Sequence, residues 1–241
     1  MDIFNELDNL IDDAEDAQRK AYASKQKLKS RVREALNYGR DRHLPAYDKL
    51  GESNIVPILF MDIVGYSKLT PEYRQKDAIE LLNELVAKAL PEAKCTLDDV
   101  VCLPTGDGMC LCFLKSTDGP LTVAARVQRE LSKQPIAPGN PKIEVRMGVH
   151  FGNVLRVTDL KGSYNLAGAA INISQRAMNF GDEGHILCTA EAYEKLKGMK
   201  DYEKAIRRVN GYYIAKHGVK LRLFKYYRLE EGFGNPSDPK R

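Results

Sequence analysis

The feature that most constrains the fold is a single acidic residue at the end of an apolar run. Residues 58–70 read ILFMDIVGYSKLT, so that Asp62 follows four apolar residues and is itself followed closely by a glycine. The apolar residues predict a buried strand over Ile55–Asp62. Because an unpaired buried charge is costly, Asp62 needs a partner, which can be an arginine, a set of backbone N–H groups or a metal ion.

Downstream of this strand, the hydrophobic pattern alternates between the periods of helices and strands. The predicted helices are Tyr73–Leu90, Leu121–Leu131, Ala169–Phe180 and Ala190–Lys197. The further predicted strands are Val100–Leu103, Met109–Leu114, Ile143–Asn153 and His185–Thr189, with Tyr212–Ile214 and Leu221–Arg228 as a closing hairpin. A βαββαβ core with additional elements at its end predicts a ferredoxin-like α+β sandwich.

The two ends of the chain differ from this core. Apolar or small residues recur at heptad spacing over residues 2–36, which predicts an N-terminal helical segment over 1–44. This helix could dock on its own domain as a solvated helix or pair with a second chain as a dimerisation helix. The core domain is expected over residues 45–229, and the polar tail 230–241 is predicted to be disordered.

Composition excludes several classes of function. No apolar run approaches the roughly 20 residues that span a bilayer, and the N-terminus is acidic where a signal peptide would be basic. The net charge of +4 suits a small anionic substrate and does not indicate nucleic acid. The five cysteines contain no CxxC pair, which is typical of small core residues in a reducing compartment. We therefore expect a cytoplasmic protein without a membrane or nucleic-acid partner.

A second carboxylate lies in the stretch LPTGDGMCLCF. Asp107 is flanked by glycines in a turn between two predicted strands. If this hairpin lies beside the first strand, as the ferredoxin-like order requires, Asp62 and Asp107 become neighbours. Two adjacent carboxylates repel each other unless a cation lies between them, and hard divalent metals prefer such oxygen ligands. Each aspartate alone would also fit a turn or a cap, but the pair favours a metal site.

A third stretch, GAAINISQRAMNF, carries an amide and a guanidinium four residues apart. Asn172 and Arg176 therefore share one face of the predicted helix. Such a cluster of donors suits ribose and phosphate oxygens. An exposed polar helix face is the simpler explanation for the pair in isolation.

Together, four ordered motifs resemble the catalytic domain of class III adenylate and guanylate cyclases. They read FMDIVGYS, TGDG, RMGVHFG and NISQR, and the likeness covers roughly residues 55–228. The resemblance implies two divalent cations, Mn²⁺ or Mg²⁺, with metal ligands at Asp62, Ile63 and Asp107. It also implies a homodimer whose active sites lie at the subunit interface, each combining the metal aspartates of one subunit with Asn172 and Arg176 of the other.

The resemblance also assigns roles to the remaining site residues. Asn172 orients the ribose and Arg176 stabilises charge on the α-phosphate. Either Lys216 or Lys220 reaches the β- and γ-phosphates, and the sequence alone leaves both open. The substrate-binding set is completed by residues around the first strand and at the base-reading positions, namely Phe60, Ile63, Gly65, Tyr66, Leu103 and Asn165.

The base-reading positions depart from the family. Purine cyclases carry polar residues where this chain has Leu103 and Asn165, and leucine cannot hydrogen-bond a base edge. Tyr66 replaces the usual phenylalanine, which suits a smaller base. The chain also resembles the bacterial pyrimidine cyclases of anti-phage systems (Pycsar), whose cyclic UMP or CMP activates a separate effector protein. The sequence thus favours a uridylate cyclase, a lyase that uses UTP over CTP and releases pyrophosphate.

Three other functions remain open at this stage. An adenylate or guanylate cyclase could take its base contacts from other residues. A catalytically dead cyclase-like domain could sense a nucleotide, although it has no reason to retain both aspartates together with Asn172 and Arg176. A two-metal phosphodiesterase would be expected to carry a histidine-rich ligand set, whereas this chain has four scattered histidines.

Overall fold

The computed structural model of the protein describes residues 47, 50, 51, 53–133, 142–160, 162–199 and 202–239. The chain divides into two units, Met1–Arg40 and Asp41–Arg241, and the described residues all belong to the second unit. The helix predicted over residues 2–36 and the boundary predicted at residue 45 lie outside the described residues and stay predictions.

The described residues alternate between strands and helices. The strands are β1 (Ser53–Ile63), β2 (Val100–Pro104), β3 (Gly108–Phe113), β4 (Val145–Thr158), β5 (Tyr164–Ala167), β6 (Ile186–Thr189), β7 (Ile206–Arg208), β8 (Tyr213–Ile214), β9 (Lys220–Leu221) and β10 (Leu223–Tyr226). The helices are α1 (Glu72–Ala89), α2 (Gly119–Ser132), α3 (Ala169–Asn179), α4 (Ala190–Leu196) and α5 (Tyr202–Ala205).

The sheet confirms the predicted α+β fold. Its strand order is β2-β3-β1-β4-β6-β10-β7, with β5 paired to β4. The first four strands of this order are the ferredoxin-like arrangement, in which β1 pairs antiparallel with both β3 and β4. The order therefore places the β2–β3 hairpin directly beside β1, as the sequence predicted.

The end of the sheet differs from the prediction. The closing hairpin is split, because β8 pairs with β9 in a separate two-stranded sheet while β10 joins the main sheet between β6 and β7. The strands β5 and β7 were not predicted. Both are at most four residues long, and such short segments carry too little periodicity to identify a strand.

Strand β1 is buried on both faces, which explains its nearly continuous apolar sequence. Leu59, Met61 and Ile63 pack against α1 and α2 in the main core. The alternate residues Ile58 and Phe60 belong to a second buried cluster on the face that α3 covers. Because successive strand residues point to opposite faces, Asp62 lies on the α3 side of the sheet.

Residues 230–239 were predicted to be disordered, and the structure differs from this expectation. Phe233 is buried in the main core. The Tyr213 hydroxyl donates to the Pro239 carbonyl oxygen at 2.9 Å, and the Lys225 ammonium pairs with the Asp238 carboxylate at 2.7 Å. Polar composition suggested disorder, but individual anchoring contacts hold this segment against the sheet.

Two predictions from composition can be compared with the structure. Among the cysteines, Cys95, Cys110, Cys112 and Cys188 are buried, as expected of core residues, whereas Cys102 is exposed. Within the described residues, no helix is long and apolar enough to cross a membrane.

Helix α3 packs unusually closely on the sheet at Gly148 in β4. A Cβ atom at this position would lie 2.3 Å from the Ser174 carbonyl oxygen and 2.6 Å from the Met178 nitrogen. The hydroxyl of Ser174 donates to the Gly148 carbonyl oxygen at 2.9 Å. Only glycine therefore permits this approach. The contact at Gly148 sets the distance between α3 and the sheet.

We expect Gly148→Ala to lower the free energy of unfolding by about 3 kcal/mol, because the helix backbone must move away from the sheet. The measurement is urea denaturation followed by circular dichroism. Gly198→Ala is the matched control, since a Cβ there meets no atom within 4 Å. Equal effects of the two substitutions would show that the contact between α3 and β4 is not tight.

Candidate active site

Asp62 lies at the end of β1, where the residue as a whole is 7% exposed. It pairs across the sheet with Gly108 on β3 and with Arg146 on β4. The two neighbouring strands therefore determine its surroundings, one by supplying a charged partner and the other by leaving space.

Arg146 supplies the charge that compensates Asp62. Its Nε and Nη2 atoms donate to Asp62 Oδ2 at 3.0 and 2.8 Å. Burial raises the pKa of the Asp62 carboxyl, the hydrogen bond from Arg146 opposes this effect, and the Asp107 carboxyl raises the pKa further. No functional role was predicted for Arg146, although its motif RMGVHFG begins directly opposite Asp62. The pairing of the two strands is the signal that would have revealed it.

Asp107 reaches Asp62 through the tight turn between β2 and β3. Gly106 has a φ of 93°, a conformation that favours glycine. At Gly108, a Cβ atom would lie 2.0 Å from the Met61 carbonyl oxygen, so this position also requires glycine. The Ile63 N–H donates to the Asp107 carbonyl oxygen at 3.0 Å. The GDG sequence thus brings the second carboxyl against the first, and the predicted proximity of the two aspartates is confirmed.

The carboxylate pair fits a divalent cation. It offers several oxygen atoms in a partly buried place, and Mg²⁺ typically takes one or two protein carboxylates together with substrate phosphates and water. The side chain of Ile63 is buried in the main core, so this residue could contribute only a main-chain oxygen. Within the described residues, no group of three or more His, Cys, Asp and Glu side chains could hold a metal.

A separate cleft contains the residues predicted to bind ribose and phosphate. Its volume is about 550 Å³, within the range of small-molecule sites. It is lined by Asn172, Gln175, Arg176, Asn179, Phe180, Ile214, Ala215 and Lys216. Asn172, Arg176 and Lys216 make no side-chain hydrogen bond or ion pair with any other described residue. The cleft therefore presents an amide and two cations that are free to bind an anionic ligand.

The cleft distinguishes between the two candidate lysines. Lys216 lies in the turn after β8 and lines the cleft. Lys220 is paired with Ile214 across the β8–β9 ladder and is not among the described lining residues. The structure thus brings Lys216, rather than Lys220, together with Asn172 and Arg176.

Helix α3 separates the cleft from the carboxylate pair. Ala170, Ser174 and Met178 are buried toward the sheet that carries Asp62. Asn172 and Arg176 lie on the opposite side of the helix, and neither aspartate lines the cleft. Because an α-helix with its side chains is about 10 Å across, the two halves of the site face different directions within one chain.

The residues predicted to contact the base are placed around the α3 side of the sheet. Phe60 is fully buried in the second cluster, and Leu103 on β2 packs against that cluster half-buried. Strand β5, which carries Asn165, contacts β2. Asn165 Oδ1 accepts a hydrogen bond from the Leu166 N–H at 2.7 Å. Leu103 and Asn165 thus lie on two strands that contact each other without pairing, although they are 62 positions apart in the chain.

Gly65 and Tyr66 occupy the turn that follows β1. Gly65 has a φ of 69° and precedes a single turn of 3₁₀ helix that begins at Tyr66. The Tyr66 ring is half-buried against the main core, on the side of α1 and α2. Its position beside Asp62 in the sequence keeps it near the carboxylate pair, but its ring supports the core.

Comparison with known proteins identifies the family. The model of the family described as adenylate and guanylate cyclase catalytic domain matches residues 107–227, half of the chain. The α-2 subunit of soluble guanylate cyclase from Rattus norvegicus is 31% identical over 110 residues, which cover 42% of this chain and 14% of that protein. The matched region is therefore a small part of the curated relative. The chain belongs to the adenylate and guanylate cyclase catalytic domain family.

Solved structures agree on the fold. The guanylate cyclase domain of RhGC from Catenaria anguillulae, in complex with GTP, has a TM-score of 0.58 at 20% identity, covering 73% of this chain and 96% of that one. An adenylate/guanylate cyclase/hydrolase from Silicibacter pomeroyi has a TM-score of 0.59 at 21% identity, covering 73% and 98%. At this level of identity the similarity establishes the cyclase-domain fold.

We expect Arg146→Met to lower the free energy of unfolding by about 2 kcal/mol, because it leaves two adjacent carboxyls without a cation. Millimolar MnCl₂ should restore most of this loss, since a bound divalent cation replaces the missing charge. The measurement is thermal unfolding with and without the metal. The double variant Asp62→Asn, Arg146→Met should respond much less to Mn²⁺. Equal stabilisation of both variants would exclude a metal site at Asp62.

Proposed function

We propose that the protein is a nucleotide cyclase that converts UTP to 3′,5′-cyclic UMP and pyrophosphate. The observation that carries this proposal is the adjacent carboxyl pair, Asp62 and Asp107, in a chain of the cyclase family that also keeps an amide and two free cations in one cleft. In the reaction, a bond forms between the ribose 3′ oxygen and the α-phosphorus while the bond to the β-phosphate oxygen breaks. The 3′-hydroxyl proton is released to solvent.

Each residue has a role that its chemistry supports. Asp62 and Asp107 hold two divalent cations, Mn²⁺ or Mg²⁺, which when bound lower the pKa of the 3′-hydroxyl and neutralise the triphosphate. Asn172 orients the ribose. Arg176 donates to the α-phosphate oxygens, where negative charge develops in the transition state. Lys216 contacts the β- and γ-phosphates, which leave as pyrophosphate.

The site is assembled from two copies of the chain. This part of the proposal is supported by α3, which separates the carboxyl pair from the cleft within one copy.

The preference for uracil is supported by the orientation of the Asn165 amide. A backbone N–H can only donate, so the atom that faces the Leu166 N–H must be the amide oxygen. The Nδ2 group is left as a donor without a partner among the described residues. A donor matches the O4 oxygen of uracil and opposes the amino group of cytosine or adenine.

Guanylate cyclase is the second candidate. It is favoured by the 31% identity to a subunit of soluble guanylate cyclase, and the guanine O6 oxygen would also accept from Asn165. Guanine presents two further donors, N1–H and the N2 amino group. Leu103 has no hydrogen-bond acceptor for either of them. Uracil leaves only one donor, N3–H, unmatched at this position.

The proposed biological role concerns what the product does in the cell. Cyclic UMP would act as a second messenger for a separate effector protein in anti-phage defence. This part of the proposal rests on the resemblance to the bacterial pyrimidine cyclases.

Product analysis tests the reaction and the base together. The purified chain is incubated with ATP, GTP, CTP or UTP and MnCl₂, and the products are separated by chromatography. We expect cyclic UMP as the main product, and we expect Asp62→Ala to abolish it. Asn165→Asp should lower the ratio of UTP to CTP turnover by about tenfold, because a carboxylate accepts where the amide donates. Cyclic GMP as the main product would favour the second candidate, and no cyclic product from any nucleotide would contradict the cyclase reaction.

Complementation tests whether two chains share one site. Asp62→Ala and Arg176→Ala should each be inactive alone. Mixing equal amounts should restore about a quarter of the wild-type rate, because half of the dimers are mixed and each has one intact site. Activity that stays absent after prolonged mixing, with mixed dimers verified by mass, would contradict a shared site.

A further inference from the structure

Tyr47 is buried although it lies before the first strand of the domain. It is 3% exposed and belongs to the buried cluster on the α3 side of the sheet, with Val154 and Leu166. Tyr47 thus packs against the hairpin formed by β4 and β5.

The Tyr47 hydroxyl bridges the two strands of this hairpin. It lies 2.9 Å from the Val157 carbonyl oxygen and 2.8 Å from the Asn165 carbonyl oxygen. Val157 and Asn165 are directly opposed across the β4–β5 ladder. A phenol has one proton, which is shared between these two acceptors. One hydroxyl therefore contacts the main chain of both strands at the same pair of opposed residues.

The Tyr47 ring makes further contacts with the same hairpin. Its centroid lies 4.5 Å from that of Tyr164, and the Arg156 guanidinium carbon lies 5.6 Å from the centroid of Tyr47. Tyr164 directly precedes Asn165 on β5. Tyr47 therefore contacts β5 both through the main chain of Asn165 and through the side chain next to it.

We propose that Tyr47 is a positioning residue for base recognition, which rests on the function proposed above. By fixing the main chain at Asn165, it fixes where the Asn165 amide donor is presented. The Leu166 N–H then determines which atom of the amide faces outward. Without the Tyr47 hydroxyl, the main chain of β5 at Asn165 would lose its tie to Val157 of β4, and the donor would be less well defined in position.

The test compares Tyr47→Phe with Tyr213→Phe. Both tyrosines are buried and both hydroxyls donate to main-chain carbonyl oxygens, but Tyr213 bonds Pro239 at 2.9 Å, away from β5. We expect Tyr47→Phe to raise KM for UTP and to lower the UTP to CTP selectivity, each by about threefold to tenfold, with kcat for UTP nearly unchanged. Amide hydrogen exchange over residues 155–167 should become faster in this variant alone.

The possible outcomes separate this proposal from the function on which it rests. A wild-type chain that forms no cyclic product overturns both. An active wild-type chain whose KM, selectivity and exchange are unchanged in Tyr47→Phe overturns the role of Tyr47 and leaves the cyclase reaction standing. Equal changes in Tyr47→Phe and Tyr213→Phe would indicate a general loss of stability and would also overturn it.

Discussion

The Asp62 carboxylate lies at the end of a strand that is buried on both faces, so its charge has to be compensated from within the fold. Arg146 provides part of that compensation, with two hydrogen bonds to one carboxylate oxygen. The glycine at position 108 leaves room for the hairpin that carries Asp107. The same packing that makes room for Asp107 also adds a second negative group. A single arginine cannot balance two ionised carboxyls, and this imbalance supports the proposal that a cation binds at the end of β1.

Helix α3 organises the rest of the site around this position. Its backbone approaches β4 so closely that only glycine fits at position 148. The opposite side of the helix carries Asn172 and Arg176, which are therefore turned away from the carboxyl pair. Within one chain, the donors on α3 and the carboxyl pair therefore face different directions. This separation is the structural basis of the proposal that a second copy completes the site.

The sequence predicts those parts of the structure that depend on local pattern. The periodicity of β1, α1 and α2 and the order of the ferredoxin-like strands were sufficient to bring Asp62 and Asp107 together. Features that depend on distant pairing were not predictable. Strand β5 exists because it pairs with the end of β4, and the choice between Lys216 and Lys220 depends on how a short hairpin folds over α3. Tyr47 gave no signal, because a single aromatic residue outside any periodic segment does not reveal what it contacts.

In the proposed function, base selection would depend on fewer contacts than the cyclisation itself. Leu103 offers no hydrogen bond, so under the proposed function the discrimination between uracil and cytosine would depend on the direction of one amide. An unmatched pair of donors costs about 1–3 kcal/mol, which is a factor of roughly 5 to 150 in binding. The Asn165 amide can provide this difference only if it is held in one place. Two main-chain groups hold it, the Leu166 N–H at its oxygen and the Asn165 carbonyl at the Tyr47 hydroxyl. Under the proposed function, selectivity would therefore depend on how strand β5 is fixed as much as on the residue that contacts the base.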